Sequence, residues 1–250
     1  MHHLFNRSAL LMTLCTTITA CFAPQQATPT KQTYTFDYSN TATARLGSAG
    51  FVVGLVKPVY PATFLASGTE LFQNFRKGVG ADIEEVLIGQ GYSLKGPYDA
   101  LDEMIFEDKK RVDMLITIEI APSFTAVQGG WKSHFNPLFG GTYTYSYAGK
   151  ASLVGKITLT GVEPLTNEKI WVKSVSIPNV EDIDIATVNR YNRQLNDIEI
   201  LHDPGVYNAI GKALQRQYLG MMEKIIVQTN VEEFNSLKPQ IKELKSKKGF

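Results

Sequence analysis

Residues 112–120 carry the strictest pattern in the chain. Met114, Ile116, Ile118 and Ile120 alternate with Leu115, Thr117 and Glu119. Successive strand side chains point to opposite faces, so this period of two predicts a strand with one buried face. A lone strand is not stable, and the rest of the chain must supply neighbours and a cover for that face. Residues 51–56 (FVVGLV) form a compact apolar run that reads as a central strand, ended by Pro58 and Pro61. Leu153, Ile157 and Leu159 mark another strand within residues 149–161. After a turn over 163–168, residues 169–177 pair back as a hairpin. Tyr92 and Leu94 suggest a short strand, and the alternation of Tyr34, Phe36 and Tyr38 suggests a half-buried one.

The cover is helical. Leu71, Phe72, Phe75, Val79, Ile83, Val86 and Leu87 recur at helical spacing over residues 67–88, with Ser67 and Glu70 set as a capping box. Gly78 and Gly80 inside it predict either close packing or a bend, and Gly89 or Gly91 ends it. Residues 101–111 read as a second, polar helix. Val206, Ala209, Ile210, Ala213, Leu214, Met221, Met222, Ile225 and Ile226 stripe a long helix from Gly205. A last segment from Val231 carries Phe234, Leu237, Ile241 and Leu244 among lysines, with Pro239 expected to open a new helix there. Residues 178–204 give no firm assignment; Glu181, Asp182 and Asp184 within them read as a solvated acidic turn rather than a calcium loop. Strands and helices mix without strict alternation. The fold class is α+β: one domain, with a mixed, mostly antiparallel sheet packed against a long helix in the N-terminal half and a C-terminal helical segment.

The first twenty residues are of another kind. His2, His3 and Arg7 precede an apolar run too short to span a bilayer, which needs roughly 20 apolar residues. The run ends in Ile18-Thr19-Ala20-Cys21, the pattern of a bacterial lipoprotein signal in which the Cys thiol is acylated and becomes the first mature residue. The chain has two cysteines, Cys15 and Cys21. Removal of the signal would leave Cys21 alone at the mature N-terminus, where acylation gives it a role. More than one acyl chain holds a protein stably, at about 0.8 kcal/mol per buried methylene. Residues 1–20 thus read as signal peptide, 21–32 (rich in Pro, Gln and Thr) as a flexible tether, and 33–250 as the folded domain. Phe22 rather than Asp after the Cys resembles lipoproteins sorted to the outer membrane.

Charge and motif content narrow the function. With Arg7 the only ionic residue of the signal, the mature chain balances 24 basic against 24 acidic residues. That balance lacks the basic excess of a nucleic-acid binder. There is no His/Cys cluster for zinc, nucleophile elbow, phosphate loop or dinucleotide fingerprint, so the expectation is a non-enzymatic protein without a cofactor. Residues 122–147 interrupt the rhythm of strands and helices. They hold Gly129-Gly130, Gly140-Gly141 and Pro137 among Phe124, Trp131, His134, Phe135, Phe139, Tyr143, Tyr145 and Tyr147. A long irregular segment crowded with rings is often functional, and rings stack on sugars or on a protein partner. Trp131, Phe135, Phe139, Tyr143 and Tyr145 are the candidate ligand-binding residues. The competing reading of Tyr143, Tyr145 and Tyr147 is one more strand, with alternate rings buried.

In combination, four features resemble the neuraminyllactose-binding haemagglutinin family, lipoprotein adhesins of the bacterial surface and flagellar sheath. They are the lipoprotein signal, residues 75–92 (FRKGVGADIEEVLIGQGY) with the strand at 113–120, residues 159–175 (LTGVEPLTNEKIWVKSV), and the tail 208–248 ending in ELKSKK. The resemblance implies an exported α+β domain on a palmitate-type anchor in the cell envelope, binding a sialylated glycan. The family's basic sialic-acid motif follows the strand matching 113–120. Here Lys132 is the sole Lys or Arg of residues 122–147, so no binding residue carries over. The alternative is an assembly or scaffold lipoprotein of the envelope or flagellar sheath, acting on a protein partner through a sheet edge or the C-terminal helix.

Overall fold

The computed structural model describes residues 30–38, 47–137, 140–247 and 249. The signal peptide, Cys21, most of the tether and Phe139 lie outside the described residues. Five strands form one sheet: β1 (Val52–Val56), β2 (Ser93–Tyr98), β3 (Met114–Asn136), β4 (Thr142–Glu163) and β5 (Glu168–Ala186), in the order β2-β1-β3-β4-β5. β1 is parallel to both β2 and β3, while the much longer β3–β4 and β4–β5 pairs are antiparallel. The architecture is the expected α+β class. Helix α1 (Glu70–Gly89), the short α2 (Phe106–Arg111) and α3 (Asp197–Ile200), and the C-terminal α4 (Pro204–Gln228) and α5 (Val231–Lys247) complete it.

One face of the sheet carries the main core. Met114, Ile116, Ile118 and Ile120 are all buried, as their alternation requires, and pack with Leu153, Ile157, Leu159, Trp171 and Val175 beneath the apolar faces of α1, α4 and α5. On the other face Leu115 and Val162 meet Met104 and Val112 in a smaller cluster. The predicted helix over 101–111 divides there into a 3-10 turn at Leu101–Glu103 and α2.

Several expectations are corrected. The segment 34–38 is extended but belongs to no sheet. Tyr34 and Phe36 are buried against helices instead, Phe36 between Phe75 of α1 and Tyr218 of α4, with ring centroids 5.1 and 5.4 Å away. Two glycines make room for this strap. A Cβ on Gly78 would lie 2.5 Å from the Phe36 carbonyl oxygen, and one on Gly211 would lie 2.3 Å from the Tyr34 ring. Gly78 therefore marks close packing rather than a bend. Buried Asp82 of α1 secures the strap, accepting hydrogen bonds from the Tyr38 amide (2.9 Å) and the Tyr218 hydroxyl. Burial holds the Asp82 carboxyl above its ordinary range.

The capping box is not formed either. α1 starts after Thr69, which has extended backbone and no side-chain cap, because the Thr69 hydroxyl donates to Ala66 O instead. The helix ends as glycine predicts. Gly91, at φ +85°, turns the chain, while the Gly91 and Tyr92 amides close on Ile88 and Leu87 at 2.9 and 3.1 Å. Pro239 sits inside α5 rather than opening a helix. Phe234 before it and Ile241 after it are both buried in the same core, and that shared packing holds the helix through the proline. The acidic run is strand rather than turn: Asp182, at φ +55°, makes a bulge in β5, and Lys150 lies 3.2 Å from Asp182 and 3.9 Å from Asp184.

Candidate functional site

Within the ring-rich stretch 122–147, residues 122–136 and 142–147 are regular strand. β3 and β4 pair without interruption from the core out to Asn136↔Thr142, apart from one bulge between Ala126 and Gln128. The breakers that suggested a loop are accommodated by position. Pro122 lies beyond the short contact of β3 with β1, so its missing N–H faces no strand partner on that side. Gly129 sits opposite Gly149, where a side chain would meet the Tyr147 hydroxyl at 2.6 Å.

β5 leaves β4 at Ala186↔Ala148, so residues 130–136 and 142–148 continue as a two-stranded ribbon. At about 3.3 Å per residue the ribbon extends roughly 20 Å. Its base is braced by the returning chain. Tyr145 and Tyr191 exchange backbone hydrogen bonds of 2.6 and 2.7 Å, and the Thr187 hydroxyl accepts from the Tyr147 amide at 2.9 Å. The Tyr191 hydroxyl donates to buried Asp203 at 2.8 Å. Burial, reinforced by that bond, pushes the Tyr191 phenol up to about 12. Asp203 also accepts from Gly205 as the cap of α4 and from the Val188 amide. The brace thus connects the ribbon to the first turn of a core helix.

Register decides what the ribbon presents. Directly opposed residues of an antiparallel pair share a face. Trp131 opposes Tyr147, Ser133 opposes Tyr145, and Phe135 opposes Tyr143. Five rings therefore share one face, while Lys132, His134, Thr144 and Ser146 lie on the other. Trp131 and Tyr147 meet edge to face at 5.5 Å, and Phe135 and Tyr143 meet at 5.0 Å. His134 and Ser146 hydrogen-bond at 2.9 Å across the polar face.

The aromatic face is also the core face. In β4 the odd-numbered residues 151, 153, 157 and 159 are buried, and 143, 145 and 147 continue the same parity. In β3 the core residues are even-numbered and the ring positions 131 and 135 are odd. The bulge supplies the one-residue offset that keeps them on the same side. Beyond the helices the stripe is open to solvent, with Phe135 56% and Tyr143 55% exposed. Trp131, Tyr145 and Tyr147 are partly covered.

Of the sequence candidates, Trp131, Phe135, Tyr143 and Tyr145 come together on this face, and Phe139 lies outside the described residues. The strand reading of the three tyrosines holds, without alternate burial. Tyr147, the ring partner of Trp131, belongs with the candidates, and its spacing from Tyr143 and Tyr145 was the available signal. The Tyr191–Asp203 brace had no local signal, because twelve residues separate the two. The rings form a stripe, and the cavities at α1, at the α4–α5 junction and at the β5–α4 edge are lined by other residues. Among the described residues no group of three or more His, Cys, Asp or Glu side chains is placed to hold a metal ion. No described helix is long and apolar enough to cross a membrane.

No family model matches the sequence, and no curated protein matches it. Solved structures do. A protein assigned as a homologue of the neuraminyllactose-binding haemagglutinin from Helicobacter pylori superposes with a TM-score of 0.55 at 14% identity, over 84% of this chain and all (100%) of that one. A lipoprotein from Neisseria meningitidis matches over 65% of this chain and 99% of its own at 13% identity, and rare lipoprotein B from Shewanella oneidensis over 74% and 98% at 9%. Their TM-scores are 0.29 and 0.25. At these identities the first likeness establishes a shared fold, and the other two support no reading.

Proposed function

We propose that this chain is a non-enzymatic, lipid-anchored protein of the bacterial cell envelope, placed at the outer membrane, that binds a sialylated glycan or another surface ligand through the aromatic face of its ribbon. The observation that carries the ligand site is the ring stripe of Trp131/Tyr147, Tyr145 and Phe135/Tyr143, held out from the core on a braced β-ribbon. Ring faces stack on the apolar faces of sugars, and ring edges and hydroxyls take the polar groups. The lipoprotein signal ending at Cys21 supports the anchor, and the haemagglutinin homologue with the same fold supports glycan as the ligand class.

The test is sialyllactose binding by the detergent-solubilised mature protein. Replacing Trp131, Phe135 and Tyr143 together by Ser is expected to raise the Kd at least about tenfold, the equivalent of some 1.4 kcal/mol. The melting temperature should hold, because these rings lie beyond the helix-covered core. A wild-type protein that binds no sialylated glycan, or a triple variant that binds as well as wild type, defeats the glycan reading. The anchor has its own test. Cys21→Ser is expected to move the protein from the membrane fraction to the soluble fraction and to abolish palmitate labelling. Retention of label by that variant would refute acylation at Cys21.

One observation favours the scaffold reading in second place. β3 contacts β1 only over Met114–Ile116, with a further bridge at Glu119. Past Ile120 no described strand pairs with its outer edge. A long open edge can take up a partner strand. Cross-linked recovery of an envelope protein through residues of that edge, with sialyllactose binding absent in wild type, would select the scaffold role.

A further inference from the structure

A cavity lies away from the ribbon, at the carboxyl ends of the parallel strands β1 and β2. β1 lies between β2 and β3. The chain leaves β1 through α1, on the main-core face, to reach β2. It then passes through residues 101–111, on the opposite face, to reach β3. The winding therefore reverses at β1. The reversal lies between β1 and β3, where β3 runs on past the end of β1. On the other side of β1, a cavity of about 630 Å³ opens between the end of β1, the end of β2 and the flank of α1. That is within the ~300–1,000 Å³ of typical small-molecule sites.

Its lining has two characters. Leu55, Pro58, Val59 and Pro97 give an apolar wall; Gly80 lets α1 pack close against Pro58, where a Cβ would lie 2.9 Å from its ring, and the small Ala81 lies on the exposed flank beside the cavity. The polar groups are three cations, Lys57, Arg76 and Lys77, against two carboxylates, Glu84 and Asp99. Lys57 and Asp99 neutralise each other at 2.6 Å. Arg76 donates to the neutral Gln73 side chain at 2.7 Å and faces no carboxylate within ion-pair distance. Lys77 also has no ion-pair partner among the described residues. Glu84 is eight residues along α1 from Arg76, about 12 Å away at 1.5 Å per residue. The cavity is therefore apolar in its wall and cationic at one end, where no described carboxylate lies within ion-pair distance of Arg76 or Lys77. An arginine fork beside a lysine suits a carboxylate, which it can hold with two parallel hydrogen bonds.

We infer that this crevice is a binding site for a small monoanionic amphiphile, a carboxylate carrying an apolar tail, with Arg76 and Lys77 on the head group and Leu55, Pro58, Val59 and Pro97 on the tail. The site is independent of the ring stripe, and its failure would leave the ribbon reading untouched. Octanoate is the probe, titrated calorimetrically into the full-length mature protein, with octanol as the headless control and acetate as the tailless one. Octanoate should bind saturably at one site, and octanol and acetate each at least tenfold more weakly. The paired change Arg76→Ala and Lys77→Ala should raise the octanoate Kd at least tenfold. Ala81→Trp, at an exposed position on the cavity flank, should abolish binding, with circular dichroism confirming that both variants are folded. Absent octanoate binding, equal binding of octanol, or folded variants that both bind like wild type would each overturn the assignment.

Discussion

Phe234→Ala is expected to lower the unfolding free energy by about 3–5 kcal/mol, the range for emptying a fully buried aromatic site. Phe234 has no exposed surface, and its ring lies 5.0 Å from Trp171, 5.2 Å from Tyr92 and 5.5 Å from Phe51. Those partners come from β5, from the exit of α1 and from the approach to β1. One ring thus joins three segments that are distant in sequence. The same end of α5 is held by Glu233, which accepts from the Trp171 indole at 3.1 Å and pairs with Lys173 at 2.8 Å. The alanine variant would lose the burial of the ring and the aromatic contacts together. Urea denaturation should show a lower midpoint with an unchanged slope. A loss under about 1 kcal/mol would mean that α5 does not dock as described.

Lys245→Met is expected to cost about 3–5 kcal/mol, by exposing a different weakness. The Glu163 carboxylate, with no exposed surface, sits at the start of the β4–β5 turn and accepts from the Leu165 and Thr166 amides at 3.1 and 2.7 Å. Both bonds fall on Oε2. Oε1 has no hydrogen-bond partner among the described residues, and the Lys245 ammonium 3.9 Å away is its cation. That ammonium also donates to the Lys110 and Val112 carbonyls at 3.0 and 2.8 Å, joining the end of α5 to the entry of β3. Methionine fills the space but leaves a buried charge and two carbonyls without their partner. Adding Glu163→Gln removes the stranded charge, so the double variant should be more stable than Lys245→Met alone. A double variant that loses the full sum of both single losses would show that the two side chains act separately.

The core was legible because its signals are local. The alternation of Met114, Ile116, Ile118 and Ile120, and the stripe from Leu71 to Leu87, each need only one element's periodicity. Errors arose where a pattern has two physical sources. Tyr34 and Phe36 alternate in burial because an extended chain lies in a groove between helices, and a strand would give the same spacing. Ser67 and Glu70 fit a capping box, but the 3-10 turn before α1 already engages Thr69. Pro239 is tolerated because Phe234 and Ile241 anchor the helix on both sides. In residues 122–147 the rings could be seen, but their arrangement could not. It depends on which residue of β3 stands opposite which residue of β4, and on a bulge whose only sequence mark is the change of parity from Phe124 to Trp131.

Which face the distal residues present is set by a single extra backbone residue near position 127, upstream of Trp131 and Phe135 on β3. The ring-bearing tip therefore behaves as a cassette with a phase. If the same sequence paired without the bulge, Lys132 and His134 would turn toward the tyrosines and Trp131 and Phe135 would go to the opposite side, whereas deleting the extra residue would leave Trp131 opposite Tyr147. The bulge thus guards the ring face against a one-residue slip of β3 past β4, while the core upstream keeps its own pairing.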